Sequence, residues 1–314
     1  MGFVVIVPAR MSSSRLKEKP LADICGKPMV VRTAERALGC GADAVFVACD
    51  SPVIVKACEE HDIKALLTDP NCPTGTDRLA EAAAALGLTD DTIVVNVQGD
   101  EPLIPINVIR AVAEDLEKHD DCAIATAAHP ISDAEHFFNP NVVKVEIDAK
   151  GRALTFSRAP LPWPRDAFRN DKSVLPEGLP AYHHIGLYAY RAGFLKAFPK
   201  LAPAPIEKFE SLEQLRALWH GYRISVLILD ENLPSGVDTA EDLERVRSVY
   251  AESKKLVFLV PKSRVLPRPK DVTKVSLLFC RMFQLQFPQC KKNCELVAMR
   301  RAKRRDLRDS PNFS

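Results

Sequence analysis

No run of about 18 or more uncharged apolar residues occurs in the chain, so no transmembrane helix is expected. The N-terminus has no basic segment followed by a long apolar run and a small-residue cleavage site, which argues against a secretory signal. The nine cysteines show no pairing logic. Cys25, Cys40, Cys49, Cys58, Cys72 and Cys122 alternate with apolar neighbours, as reduced thiols of a cytosolic protein do. The loop behind the first apolar run matches neither G-x-G-x-x-G nor G-x-x-x-x-G-K-[ST], which removes a dinucleotide fingerprint and a P-loop.

What is present is an ordinary globular composition, 46% hydrophobic and 27% charged over 314 residues, enough to bury a substantial core. The net charge of +2 hides a division. Residues 253–314 carry 16 lysines and arginines against 4 acidic residues, an excess of +12 that leaves −10 for residues 1–252. The tail has no clear period, has prolines at 261, 267, 269, 288 and 311, and ends in the basic run MRRAKRRDLR. It reads first as an extension outside the fold, and second as a basic interaction arm for nucleic acid or acidic membrane. A metal site at Cys280, Cys290 and Cys294 is disfavoured by spacing and by the lack of a nearby histidine.

Residues 1–252 alternate short β-branched runs with amphipathic segments. FVVIVPA (3–9) is a continuous apolar run, as in a strand covered on both faces. PMVVRTAERALGC (28–40) starts a helix at Pro28, with Val31, Ala34 and Leu38 on one face. AVFVAC (44–49), PVIVKACEEH (52–61), KALLT (64–68), TDRLAEAAAALG (76–87), TIVVNVQ (92–98), PINVIRAVAEDLEK (105–118) and CAIATAAH (122–129) continue the alternation. The pattern predicts an α/β fold with a doubly wound, mostly parallel sheet. VVKVEIDAKGRALTFSR (142–158) reads as a hairpin turning at Ala149, Lys150 and Gly151. A strand at 184–191, a helix at about 206–220, a strand at 223–230 and a helix from Thr239 follow. Residues 130–220 are expected to form a smaller antiparallel insertion over the sheet, and 221–252 to return to it.

Ligands of open parallel sheets lie beyond the carboxyl ends of the strands, where three stretches arrive. The loop PARMSSSRLKEKP (8–20) brings Arg10, Arg15, Lys17 and Lys19 to a helix N-terminus, a seat suited to a phosphate chain. A solvated basic loop is the alternative. In QGDEP (98–102), Gly99 permits close approach, and Asp100 and Glu101 emerge where a phosphate-bound Mg²⁺ would need carboxylates. Asp238 is a second metal candidate, or merely part of a helix cap with Thr239. Thr74 to Asp77 reads as a capping box, or as backbone laid against a nucleobase. Glu207, Glu210 and Gln214 share one face of the 206–220 segment, with Phe209, Leu212 and Trp219 on its buried side. His183, His184, Tyr188 and Tyr190 either bond a hydroxylated ligand or reflect a half-exposed strand.

PARMSSSRLKEKPLADICGKPM, NVQGDEPLI, NPNVVKV, FSRAPLPWPRD, HIGLYAYRAGF, ESLEQLRALWHGY and GVDTAEDLERVR occur in order between about residues 2 and 250. Together they resemble the CMP-Kdo synthetase (3-deoxy-manno-octulosonate cytidylyltransferase) family. The resemblance implies a Mg²⁺-dependent cytoplasmic homodimer of the nucleotide-diphospho-sugar transferase type, catalytic over 1–252. It would convert CTP and the acid sugar Kdo to CMP-Kdo and pyrophosphate for the lipopolysaccharide inner core. It implies Asp100 and Asp238 as metal ligands, and Arg10, Arg15 and Lys19 as the triphosphate clamp. Ser13, Gly75, Arg78 and Gln98 would complete the nucleotide site. Arg158, His184, Tyr188, Glu210 and Gln214 would face the sugar. Many relatives have Pro-Gly where this chain has Lys17-Glu18. Rival readings are a cytidylyltransferase for another acid sugar (sialic acid or 8-amino-Kdo) and a non-catalytic nucleotide-binding protein whose tail is a nucleic-acid arm.

Overall fold

In the computed structural model, which describes residues 2–12, 16–169, 171–230 and 233–259, the first apolar run forms β1 (Phe3–Ala9). Its side chains alternate between two cores. Phe3, Val5 and Val7 enter one, and Val4 and Ile6 the other, so helices must cover both faces. α1 (Met29–Leu38), β2 (Ala44–Cys49), α2 (Pro52–Glu59), β3 (Ala65–Leu67), α3 (Gly75–Ala85), β4 (Ile93–Asn96), α4 (Ile106–Lys118) and β5 (Ile124–Pro130) follow in alternation. α1, α2 and α4 close the first face, whereas Leu79, Ala82 and Ala83 of α3 close the second. On α1 the buried stripe includes Val30, Val31, Ala34 and Ala37; Leu38, expected inside, is 56% exposed because it ends the helix.

The chain continues through α5 (Ala134–Phe138), β6 (Lys144–Ile147), β7 (Ala153–Ser157), β8 (Tyr182–Arg191), α6 (Ala192–Ala197), α7 (Pro205–Glu210), α8 (Gln214–Trp219), β9 (Ile224–Ile228) and α9 (Ala240–Leu259). The strand order is β3-β2-β1-β4-β8-β5-β9, with β6 pairing β7 and β8. β1 to β4 are parallel along this path, β5 and β9 are parallel to each other, and β8 runs antiparallel between β4 and β5. The segment 130–220 therefore does not simply lie over the sheet, as expected, but contributes β8 to its middle. Leu187 and Ala189 pack on one face and Tyr190 on the other, so β8 has apolar neighbours on both sides and hydrogen-bond partners on both edges. The β6–β7 hairpin extends from the first half of β8. Its root is tied by fully buried Lys144, whose ammonium donates to the carbonyls of Asn139 (3.0 Å), Val142 (2.5 Å) and Arg158 (2.9 Å). These are carbonyls that burial would otherwise leave unpaired.

The single helix expected at 206–220 is two. Ser211 takes the left-handed conformation (φ 52°) and ends α7 before α8 begins. The break swings Phe209 (90% exposed) and Trp219 (60% exposed) outward and leaves only Leu212 of that trio buried.

Every described side chain belongs to one compact unit, Met1–Leu256. α9 extends past residue 252, where the catalytic portion was expected to stop. The rest of the basic tail, with Cys280, Cys290 and Cys294, lies outside the described residues. None of the helices among the described residues is long and apolar enough to cross a membrane.

The path from β3 to β1 runs one way from the sheet centre and β4 lies on the other side, which opens a crevice at the carboxyl ends of β1 and β4. Gly99 lines that crevice, and a Cβ there would come within 2.8 Å of the Pro8 carbonyl at the end of β1. Gly99→Ala is therefore expected to cost about 1–3 kcal/mol by overpacking against backbone. Urea unfolding should show the loss as a lower midpoint at unchanged slope.

Candidate active site

Three segments remote in sequence meet in the crevice. Lys19 sits on a short turn (Lys19–Leu21) whose shape is held by Leu21 N–H donating to the Glu18 carbonyl (2.8 Å) and by buried Pro20. Glu18 itself is left-handed (φ 50°), a conformation that suits glycine, so the side chain here carries strain that Pro-Gly in this loop would avoid. The first part of the same loop is held by Met11 N–H donating to Asp50 Oδ1 (3.0 Å), a contact with no signal in the sequence.

Asp100 leaves the end of β4, and its carbonyl accepts the Val237 N–H (2.8 Å). That bond brings the segment before α9 alongside, at Gly236, where a Cβ would come within 3.2 Å of the same carbonyl. α9 is capped by a reciprocal pair: Thr239 Oγ1 accepts from Asp242 N–H (3.2 Å), and Asp242 Oδ2 accepts from Thr239 N–H (3.0 Å) and Asp238 N–H (3.1 Å). The Thr239 hydroxyl, which also donates to Asp242 Oδ2 (2.9 Å), and then the Asp238 N–H hold the Asp242 carboxyl low, at about 2. Because Asp242 and Thr239 do the capping, the Asp238 side chain is left to face the crevice.

The result is one ammonium between two carboxylates. Lys19 Nζ lies 2.6 Å from Asp100 Oδ2 and 2.9 Å from Asp238 Oδ1. Burial opposes the Lys19 charge, but hydrogen bonds and attraction from Asp100 and then Asp238 outweigh it and raise its pKa. Next door, burial and then the Asp100 charge push the Glu101 carboxyl up to about 7.

Around this cluster is a cavity of about 270 Å³ lined by Arg10, Ser12, Lys19, Gln98, Asp100 and Asp238. A second, of about 250 Å³, shares Pro8, Ala9, Arg10 and Gln98 with it and adds Thr74, Gly75, Arg78, Asn96 and Glu213. Thr74 is the N-cap of α3, accepting from Asp77 N–H (3.2 Å), so it caps the helix and lines the cavity at once. Arg78 is buried and donates to the Thr68 hydroxyl. Asn96 is 3% exposed, and its Oδ1 has no hydrogen-bond partner among the described residues. A third cavity, of about 280 Å³, is lined by Gln98, Glu101, Tyr188, Glu213 and Gln214.

Arg10, Lys19, Gln98, Asp100 and Asp238 are thus brought together, with Gly75 and Arg78 adjoining, and Tyr188 and Gln214 beyond. Ser13 and Arg15 lie outside the described residues. Three expected sugar contacts are engaged elsewhere. Arg158 donates from Nε to the Glu210 carbonyl (2.7 Å) and from a terminal nitrogen to the Pro140 carbonyl (3.0 Å). Glu210 accepts from Ser157 Oγ (2.6 Å) and Arg158 N–H (2.9 Å), so this pair fastens the end of β7 to α7. His184 is buried, with Nε2 3.0 Å from Thr126 Oγ1 and its ring edge-on to Phe156. Glu213, which sequence reasoning missed, lines two of the cavities and accepts from the Thr76 hydroxyl. The break at Ser211 makes the difference, since helical spacing carried across it selects Glu210.

Among the described residues no group of three or more His, Cys, Asp or Glu could hold a metal. The two aspartates already reach a common cation, and hard carboxylate oxygens suit Mg²⁺, which takes one or two of them and fills its other positions with water and phosphate.

A family model described as Cytidylyltransferase matches residues 4–247. Among solved structures, one of CMP:2-keto-3-deoxy-manno-octonic acid synthetase complexed with CTP is similar at 37% identity and a TM-score of 0.72. The match spans 81% of this chain and 100% of that one.

Burial, and then His183, pulls the His184 imidazole down to about 3, and burial pulls His183 down to about 4. The unfolded chain would protonate both near 6.5 while the native chain resists, so the stability present above about pH 6.5 is lost as pH falls below it. Each contributes a slope of about 1.4 kcal/mol per pH unit. Unfolding measured at pH 5 and pH 7 is expected to show a smaller loss in His184→Gln than in the wild type.

Proposed function

The chain belongs to the cytidylyltransferase family, and from that membership we propose that it transfers CMP from CTP to 3-deoxy-manno-octulosonate, releasing pyrophosphate. The observation that carries this reading is the pair Asp100 and Asp238 converging on one cation beside Arg10, at the carboxyl ends of the strands. The acceptor's anomeric hydroxyl attacks the α-phosphorus in line. A C–O–P bond forms, the bond to the pyrophosphate oxygen breaks, and the hydroxyl proton leaves to solvent.

The protein's part is positioning and charge. Arg10 and Lys19, with Arg15 and Ser13 of the same loop, hold the triphosphate, arginine by paired hydrogen bonds. Asp100 and Asp238 would hold Mg²⁺, which when bound offsets charge growing on the phosphoryl oxygens and makes the hydroxyl a better nucleophile. The cavity of about 250 Å³ presents polar groups from rigid elements, as recognition of a nucleobase requires. Gly75 supplies backbone there, Gln98 closes it toward the phosphates, and Arg78 stiffens its wall through Thr68. Tyr188, Glu213 and Gln214 would face the sugar hydroxyls, with buried neutral His184 setting the pose of Tyr188, whose ring centre is 5.3 Å away. The proposal includes the homodimer that the resemblance implies.

With CTP, Mg²⁺ and Kdo the protein is expected to release pyrophosphate, and sialic acid should not substitute. Turnover of a different acid sugar instead would refute the substrate, and no turnover of any would favour the binding protein. Asp100→Ala and Asp238→Ala should each lower kcat about 100-fold or more, the size of effect seen when charge stabilisation is removed from a transition state.

A second measurement needs no turnover. Lys19 competes for the position between the carboxylates, so nucleotide-free Lys19→Met should bind Mn²⁺ about tenfold tighter than wild type by spin-resonance titration. Equal affinity would count against a shared cation site.

A further inference from the structure

The wall of the smaller cavity that faces α3 is the loop 69–74, which contributes Cys72 and Thr74 to the lining and has no secondary structure over 69–73. A loop of this kind needs outside partners to hold one shape, since its backbone groups make no ladder. Arg78 ties down its start through the Thr68 hydroxyl. Within it, Asp69 organises a knot: Oδ1 accepts from Asn71 N–H (2.8 Å) and Asn71 Nδ2 (3.1 Å), and the Asp69 carbonyl accepts from Cys72 N–H (3.2 Å). The knot is latched from outside by one carboxylate, on the next turn of α3 after Arg78. Glu81 Oε1 and Oε2 both accept the Asp69 N–H (3.0 and 2.9 Å), and Oε2 also accepts from Cys72 Sγ (3.2 Å).

We propose that Glu81 is a positioning residue for nucleotide binding, holding the Asp69–Thr74 wall against the base through Asp69 and Cys72 without touching the nucleotide itself. The inference rests on reading the smaller cavity as the nucleobase site. Glu81 lies outside the Lys19, Asp100 and Asp238 cluster and lines none of the three cavities that form the site, so its loss changes binding of the ground state and transition state alike. Burial and the bond to Glu81 push the Cys72 thiol up to about 11, so at neutral pH it is a protonated donor and reacts slowly. Cys72 is therefore a reporter of the latch, in the wall that the nucleotide would cover.

The test combines steady-state kinetics with alkylation of Cys72, read by mass spectrometry of its peptide on the full-length protein. Glu81→Ala is expected to raise KM for CTP about fivefold, the equivalent of one charged hydrogen-bond set worth about 1 kcal/mol, with kcat and the KM for the sugar unchanged. Glu81→Gln keeps one carbonyl acceptor for the Asp69 N–H and should recover most of the loss. In the nucleotide-free protein Cys72 should alkylate faster in Glu81→Ala than in wild type, and in both CTP should slow it. An unchanged KM for CTP in Glu81→Ala, or a fall in kcat matching the rise in KM, would overturn the proposal. So would Cys72 reacting equally fast in wild type and Glu81→Ala, a measurement that needs no turnover. If CTP leaves Cys72 labelling of the wild type unaltered, the placement of the base fails first, and Glu81 with it. A wild type that turns over no CTP but shows the labelling pattern would separate the two, sinking the reaction and sparing the latch.

Discussion

One ammonium shared by two carboxylates is the constraint on which the site depends. Lys19, Asp100 and Asp238 come from the loop after β1, the turn after β4 and the segment before α9. Like charges held this close repel unless a cation lies between them, so the convergence of the two aspartates needs either Lys19 or a metal. Each surrounding feature serves that arrangement. The buried Pro20 turn aims the lysine, the Val237 bond to the Asp100 carbonyl aligns the second aspartate, and the Thr239–Asp242 pair supplies the helix cap beside it. Beneath them Ile24, Met29, Val237, Leu243 and Val246 form a small core of their own, which packs the opening loop against α9. Tyr250 strengthens it, donating to the Pro102 carbonyl (2.9 Å) with Arg32 over its ring.

The cavities divide the chemistry by charge. The first is dominated by fixed cations and carboxylates, which suits phosphates. The second sets Arg10 and Arg78 among tyrosines and amide, hydroxyl and carboxyl groups, and the third has such groups without a cation, linings that suit a base and a polyol. His184 and His183 are held neutral by burial, on the strand β8 where Tyr188 and Tyr190 stack at 5.6 Å. A neutral ring costs less to bury than a charged one, and it can still fix a neighbour's orientation.

Much of the architecture was legible in advance. β1 and β2 coincide with their apolar runs, and α3 begins within the capping signal that starts at Thr74. Arg10 and Lys19 stood out as clustered cations behind a strand, whereas Asp100 and Asp238, which a turn and a helix cap could also explain, took their expected role from the family resemblance. What misled was continuity. Residues 206–220 carry helical periodicity throughout, yet Ser211 breaks them, and a left-handed serine leaves no trace in a pattern of apolar positions. The choice between Glu210 and Glu213 turned on that residue. Arg158, expected to face the sugar, and Lys144, which carried no signal in the sequence, both spend their donors on backbone carbonyls.

Apart from the break at Ser211, the amino-acid order alone settled most of the local structure and pointed to the family, because hydrophobic period, capping residues and contiguous motifs are properties of neighbours along the chain. Only the folded chain decided that β8 enters the sheet between β4 and β5, that Glu213 rather than Glu210 faces the cavity, and that Glu81 latches the loop beside it. Those are contacts between distant segments. Strand order and a few backbone torsions govern them, and no local period encodes either.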